Sequence, residues 1–189
     1  MADAIKMLIR EHEVIEKALA SLETFVDRLG TEPEREREAI RDYAYFFHEL
    51  VDTCHHGKEE GFLFPKMTAY GFSKAAGPVS AMLSEQGEGR EHLTALARIG
   101  RGAGPLSPHE REVVRGHALG YIMRIRPHME REEDILFPIV VHSLPEFVMK
   151  EIGRDFEAFD KDGLPPGLHE KLENVSRNFL SAYPPKPAG

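Results

Sequence analysis

The chain has 189 residues, of which 41% are hydrophobic and 30% charged, an ordinary balance for a globular protein with one sizeable core. Its formal net charge of −8 argues against a nucleic-acid partner, because binding phosphates requires a basic surface. Apolar runs fall short of the ~18 residues that span a membrane, and charged residues occur too early for a secretory signal. The single cysteine, Cys54, cannot form an intramolecular disulfide, which favours a cytoplasmic location.

The first predicted helix carries apolar residues at alternating spacings of four and three, which is typical of a helix facing the core of a bundle. His12 occupies one of these inward positions, where an apolar residue is the usual choice. Gly30 ends the pattern, and residues 31–34 match a capping box that would start a second helix running to about Met67. The inward positions of the first helix are Leu8, His12, Ile15, Leu19, Leu22, Val26 and Leu29.

Two more long helices follow along the chain. The third is predicted over residues 79–99, with Gln86 at an inward position. Ser107 and Glu110 match a second capping box, from which a fourth helix is predicted to run to about His142. Glycine- and proline-containing turns precede both helices, so each long helix is expected to lie beside the one before it.

These elements predict an all-α fold with two parts. Residues 1–142 would form an antiparallel up-down-up-down four-helix bundle, because four amphipathic helices joined by short links favour antiparallel neighbours. Residues 143–189 would form a helical extension packed on the bundle, with short helices over 146–159 and 168–182. The proline-rich end of the extension, from residue 183 onwards, is expected to be a loose tail.

An internal repeat relates the two halves of the predicted bundle. The stretch HHGKEEGFLFP, beginning at His55, aligns with HMEREEDILFP, beginning at His128, with an offset of 73 residues and six of eleven positions identical. The preceding helices align as well, so that His12 and Gln86 are matching inward positions. A bundle with two similar halves places equivalent residues around one central point.

Each repeat carries a histidine and a glutamate four residues apart, His55 with Glu59 and His128 with Glu132. This spacing places an imidazole and a carboxylate on one helix face, ~5–6 Å apart. Such a pair can bind one metal ion, or its carboxylate can bridge two. Mixed nitrogen and oxygen donors suit iron, manganese or zinc. The predicted metal ligands are His12, His55, Glu59, His128, Glu132 and, in the third helix, Gln86.

The motifs resemble those of the hemerythrin-like, HHE cation-binding family. The resemblance rests on EHEVIEKAL, CHHGKEEGFLFP and HMEREEDILFP, and it covers most of the chain. It implies a non-haem, usually di-iron centre that handles dioxygen, nitric oxide or peroxide, or that senses iron. It also implies that His12, His55 and His128 are terminal ligands and that Glu59 and Glu132 are bridging carboxylates.

The third helix departs from the family pattern. Gln86 stands where the family normally has a histidine, and Arg90 stands where hemerythrins proper have another. Reversible dioxygen carriage is therefore not the expected function. Gln86 could bind metal through its amide oxygen, Glu85, Glu88 or His92 could substitute for it, or the site could hold a single ion.

Three functions remain compatible with these residues. The first is an iron protein that binds, senses or detoxifies a small oxidant such as O2, NO or peroxide. The second is a di-iron oxidoreductase that decomposes peroxide or reduces nitric oxide. The third is a half-lost site that holds one iron or zinc ion and has a structural or interaction role. Among the neighbours of the predicted ligands, His56 is expected to face outward and Glu133 to be solvated.

Overall fold

A computed structural model describes residues 3–187, and every regular element in this range is helical, as the sequence predicts. Within the same range, no helix combines the length and the apolar character needed to cross a membrane. The helices are α1 (Asp3–Asp27), α2 (36–69), α3 (Gly77–Gly100), α4 (108–143), α5 (146–163) and α6 (Leu168–Ala182).

Stretches of π-helix, whose backbone hydrogen bonds join residues five apart instead of four, occur within three of these helices. Such wide turns are often found at functional sites, because they change which side chains share a helix face. Three of the four stretches contain a predicted metal ligand. They are His48–His55 and Glu59–Leu63 in α2, Glu132–Leu136 in α4, and Phe159–Gly163 in α5.

The core consists of two apolar clusters with polar residues between them. On α1, Leu8 belongs to one cluster and Ile15 to the other, and His12 lies between the two. On α2, Cys54 belongs to the same cluster as Ile15, and Leu63 belongs to the same cluster as Leu8. The other two long helices also pass from one cluster to the other, and all four contribute polar residues to one buried layer between the clusters. The layer comprises His12, His55, His56, Lys58, Glu59, Gln86, His128 and Glu132.

The start of α2 differs from the prediction. The helix begins at Glu36, and the predicted capping box over residues 31–34 is wrong, because the Thr31 hydroxyl donates backwards to the Arg28 carbonyl at 2.7 Å. The backbone N–H of Gly30 donates instead to Oε1 of Glu36 at 2.5 Å. Gly30 has a φ of 96°, a conformation that a glycine adopts without steric cost.

The C-terminal extension lies against α1. Oγ of Ser21 donates to the carbonyl of Tyr183 at 2.6 Å, and Oγ1 of Thr24 donates to the carbonyl of Pro184 at 3.0 Å. The ring of Tyr183 is buried, in contact with that of Phe25. The described start of the predicted loose tail is therefore held on the first helix by hydrogen bonds and packing.

The predicted capping box at the start of α4 is confirmed. The backbone N–H of Glu110 donates to Oγ of Ser107 at 3.2 Å, and the Glu110 carboxylate accepts from the backbone N–H of Ser107 at 2.8 Å. Nη2 of Arg37, in α2, donates to the other Glu110 oxygen at 2.8 Å. The Ser107 backbone, the Arg37 guanidinium and the Ser107 hydroxyl together lower the pKa of Glu110 to about 2.

We expect Glu110→Gln to lower the melting temperature by roughly 2–4 °C at pH 7, because the charged form of Glu110 stabilises the fold. Because folding lowers the pKa of Glu110, its carboxylate stabilises the folded protein fully above the ordinary pKa near 4.5. This stabilisation is lost as the pH falls towards 2. The gap between the variant and the parent protein should therefore narrow below pH 4.5 in thermal unfolding. Glu112→Gln, an exposed neighbour with the same charge change, is the control. Equal behaviour of the two variants would contradict this account of the cap.

Candidate metal centre

Two groups of buried side chains bring potential ligand atoms together in the polar layer. In each group these atoms lie within 4.8 Å of one another, which is close enough to surround a metal ion. Each group contains two imidazoles and one carboxylate. The first ligand group is His12, His55 and Glu132, and the second ligand group is His56, Glu59 and His128.

Three of the imidazole rings are oriented by glutamates that lie outside the ligand groups. In each ring Nδ1 lies within hydrogen-bond distance of a carboxylate, which can only accept, so Nδ1 carries the proton. A neutral ring then keeps its lone pair on Nε2, the arrangement found for many metal-binding histidines. The pairs are His12 with Glu133 at 2.8 Å, His55 with Glu11 at 2.9 Å, and His128 with Glu85 at 2.9 Å.

The first ligand group has the spacing of a metal site. Nε2 of His12 and Nε2 of His55 lie 3.1 Å apart, and both rings use Nδ1 for a glutamate. At this distance either one Nε2 carries a proton and donates to the other, or a cation lies between two lone pairs that would otherwise repel. A metal ion with bonds of about 2.0–2.1 Å holds neighbouring nitrogen ligands roughly 3 Å apart. These two residues therefore fit a metal ion.

Glu132 faces both ligand groups. Its Oε2 lies 3.2 Å from Nε2 of His12, and its Oε1 lies 3.0 Å from Nε2 of His128. Neither oxygen has a partner with hydrogen-bond geometry among residues 3–187. One buried carboxylate thus presents its two oxygens to two sets of imidazoles, as the bridging role implied by the family resemblance would require.

Gln86 lies in the same layer but is bound to a carboxylate. Its Nε2 donates to Oε2 of Glu59 at 2.7 Å, which holds that side chain in place. Within the described residues, Oε1 of Glu59 and Oε1 of Gln86 are buried without hydrogen-bond partners. Gln86 therefore orients Glu59, and its amide oxygen remains a possible donor to a metal.

The predicted substitutes for Gln86 on α3 contact side chains of α4 and are not members of either ligand group. The carboxylate of Glu85 accepts from Nδ1 of a ligand histidine, and Glu88 and His92 contact other residues of α4. Their partners are His128 and Arg131 for Glu85, Arg124 for Glu88, and His117 for His92.

The predicted outward position of His56 is wrong. Its side chain is only 3% exposed, and its ring centroid lies 5.6 Å from that of His128. Neither ring nitrogen has a hydrogen-bond partner within residues 3–187. Adjacent residues on a helix point about 100° apart, and a helix in a bundle has more than one neighbour. His55 therefore meets α1 while His56 meets α4, and the doubled histidine in the sequence was the available signal.

Two glutamates outside the buried layer orient its histidines, a role that the sequence did not predict. Glu133 is exposed, as predicted, and its carboxylate also accepts a hydrogen bond from His12. Glu11 belongs to the Glu-His pair of α1, and it accepts from His55. The repeat that pairs Glu11 with Glu85 could have indicated the role of Glu11, because both glutamates hold a histidine of the neighbouring helix.

The pKa values of the two buried carboxyl groups are shifted in opposite directions. Burial raises the pKa of Glu59 well above its ordinary value, and the negative charge of Glu132 raises it further. Burial would also raise the pKa of Glu132, but the adjacent His128, His12 and His55 outweigh it and lower that pKa strongly. Glu59 is therefore the member of the pair that holds a proton more readily, and Glu132 is the member that keeps its negative charge.

The histidines respond to these carboxylates. Burial lowers the pKa of His55, but the surrounding carboxyl groups of Glu59, Glu11 and Glu132 outweigh it and raise the pKa to about 10. The same balance, with Glu132 as the main carboxylate, raises the pKa of His128 to about 9. Burial dominates at His56 and lowers its pKa to about 4, so this ring is neutral at pH 7.

We expect unequal effects of amide substitution at the two glutamates in metal-free protein at pH 7. Glu59→Gln should lower the free energy of unfolding only slightly, because the raised pKa favours the protonated carboxyl group, which the neutral amide resembles. Glu132→Gln should lower it by about 3 kcal/mol, because it leaves protonated histidines without their buried counter-charge. Urea unfolding of chelator-treated protein measures both, and equal losses in the two variants would show that the charge assignment is wrong.

Comparison with known proteins places this centre in a family. A sequence model of the hemerythrin HHE cation-binding domain matches residues 3–140. Uncharacterized proteins of Mycobacterium tuberculosis and Mycobacterium bovis are 22% identical over 150 residues, which cover 79% of this chain and 58% of each relative. The chain thus spans less than two thirds of the length of these relatives, and no solved structure matches it. Because the domain match includes most of the chain and both ligand groups, the protein belongs to the hemerythrin HHE cation-binding family.

Proposed function

We propose that this protein binds two iron ions between the long helices of an antiparallel four-helix bundle and uses them to bind or sense a small oxidant such as O2, NO or peroxide. The observation that carries the proposal is the composition of the ligand groups, each of two imidazoles and one carboxylate. This donor set is typical of non-haem iron sites, and it leaves coordination positions open. Bound iron would supply the redox chemistry that such oxidants require.

The geometry supports one ion in each ligand group. His12 and His55 would hold the first ion, and His56 and His128 the second. Glu132 would bridge them, since its two oxygens lie 3.2 and 3.0 Å from imidazoles of different groups. Glu59 would complete the second site, with Gln86 holding its other oxygen. His56 of α2 would then supply the imidazole that the family pattern has on α3, where this chain has Gln86.

A buried hydroxyl lies near the second ligand group. The hydroxyl of Tyr121 has no hydrogen-bond partner in residues 3–187, and Tyr121, His56 and Gln86 line one narrow gap. The gap has no room for a water molecule in this structure, so a guest molecule would have to displace side chains before this hydroxyl could donate to it. The apolar clusters on either side of the layer limit the entry of water.

We expect protein loaded anaerobically with ferrous iron to contain about two iron ions per chain, and His56→Ala to contain about one. The substitution removes a ligand of the second group only. His48→Ala is the matched control, because His48 is an exposed histidine of the same helix. Elemental analysis measures the ratio and also detects zinc or manganese, the other metals that this donor set accepts.

Other iron contents, in the parent protein or in His56→Ala, would contradict parts of this proposal. Two ions in the variant would remove His56 from the site and return Gln86 to consideration as a ligand. Less than about one ion in the parent protein would contradict the di-iron assignment. Addition of O2, NO or peroxide should change the optical spectrum of the loaded protein stoichiometrically, whereas repeated consumption of peroxide would identify an oxidoreductase.

A further inference from the structure

A fully buried lysine lies directly behind the first ligand group. Lys58 has no exposed surface, and its Nζ forms ion pairs with Glu11 and with Oδ1 of Asp160, the latter at 2.6 Å. The same Nζ lies 3.3 Å from Sγ of Cys54. Burying an ammonium group costs several kcal/mol unless its partners compensate for the lost water. The cluster is therefore a specific arrangement of charges from three helices.

This cluster is not a third metal site. Ligand atoms of Glu11, Cys54 and Asp160 lie within 4.8 Å of one another, a spacing that could hold an ion. The ammonium of Lys58, however, already contacts all three side chains. A positive charge at their centre excludes a metal cation by repulsion.

The lysine is connected to the ligand group through Glu11. One oxygen of Glu11 pairs with Lys58, and the other accepts from Nδ1 of His55 at 2.9 Å. The chain of contacts therefore runs from Asp160 through Lys58 and Glu11 to His55. The first step joins α5 to α2, and the other two join α2 to α1, so the orientation of His55 depends on contacts among three helices.

The internal repeat provides a comparison within the molecule. Arg131 occupies the position of Lys58 in the other half, and its Nη2 pairs with Glu85, the carboxylate that holds His128. The side chain of Arg131 is 38% exposed, whereas that of Lys58 is buried. Lys58 also pairs with Asp160, which lies beyond residue 140, where the match to the family domain ends. Within residues 3–187, Arg131 forms no ion pair with a residue beyond that point.

The extension carries Asp160 to this position by close packing. Phe159, the preceding residue in α5, lies against Gly57 of α2, where an added Cβ would be 3.2 Å from the Phe159 ring. The ring of Phe159 also packs edge-on against Phe62. The stretch of α2 that holds His55 and His56 is therefore the surface on which this part of the extension docks.

We propose that Asp160 is a positioning residue for the first ligand group, so that docking of the extension and metal binding at His12, His55 and Glu132 are coupled. The inference rests on the proposed function and adds to it a role for the segment beyond the family domain. Without the Asp160 carboxylate, Lys58 competes with His55 for Glu11, and the local charge becomes more positive. Both changes weaken cation binding, and by reciprocity a bound metal strengthens docking of the extension.

Cobalt(II), which is redox-stable and coloured, is the probe for this coupling. Titration against a competing chelator should show that Asp160→Asn binds one of two cobalt ions about 10-fold more weakly than the parent protein does. Asp162→Asn, an exposed residue of the same turn with the same charge change, should bind both ions normally. Equal affinities in the two variants would overturn the proposal.

Hydrogen exchange tests the reciprocal effect in the unsubstituted protein. Cobalt should slow amide exchange within residues 159–182, and Asp160→Asn should lose this protection. Unchanged exchange in the extension of cobalt-loaded parent protein would overturn the coupling while leaving the metal site intact. Failure of the parent protein to bind cobalt would instead overturn the metal site itself, and the coupling with it.

Discussion

The hydrogen bonds from histidine Nδ1 atoms to glutamates of neighbouring helices are the interaction on which this structure depends. They join α2 to α1 through Glu11, α4 to α3 through Glu85, and α1 to α4 through Glu133. Each bond keeps a ring oriented and its Nε2 directed into the molecule, and each compensates for burying a polar group between two apolar clusters. The assembly of the helices and the orientation of the ligand groups therefore have the same physical basis.

Much of this arrangement could be predicted from spacing alone. The four-three alternation around His12 and the repeated His-Glu spacing identify five of the six residues of the ligand groups, because such patterns place side chains on one helix face. His56 was missed, since a single inward face per helix leaves no place for the neighbour of His55. The π-helical turns and the start of α2 depend on contacts between segments that periodicity does not report.

The two halves of the repeat show how a family pattern can change without loss of the buried layer. Gln86 stands on α3 where the family pattern has a histidine, and its amide holds Glu59. His56 of α2 places a further imidazole in the layer, beside His128. Membership of the family is consistent with this substitution, because the domain match spans both halves.

The distribution of the ligand groups among the helices has a mechanical consequence. All six side chains come from α1, α2 and α4, and none comes from α3. Bound metal would link three of the long helices directly, whereas α3 would be joined to them by its packing and by polar contacts such as those of Gln86, Glu85 and Glu88. Metal would therefore stiffen α1, α2 and α4 by coordination bonds and would affect the third helix only indirectly, through side chains that hold or neighbour the ligands.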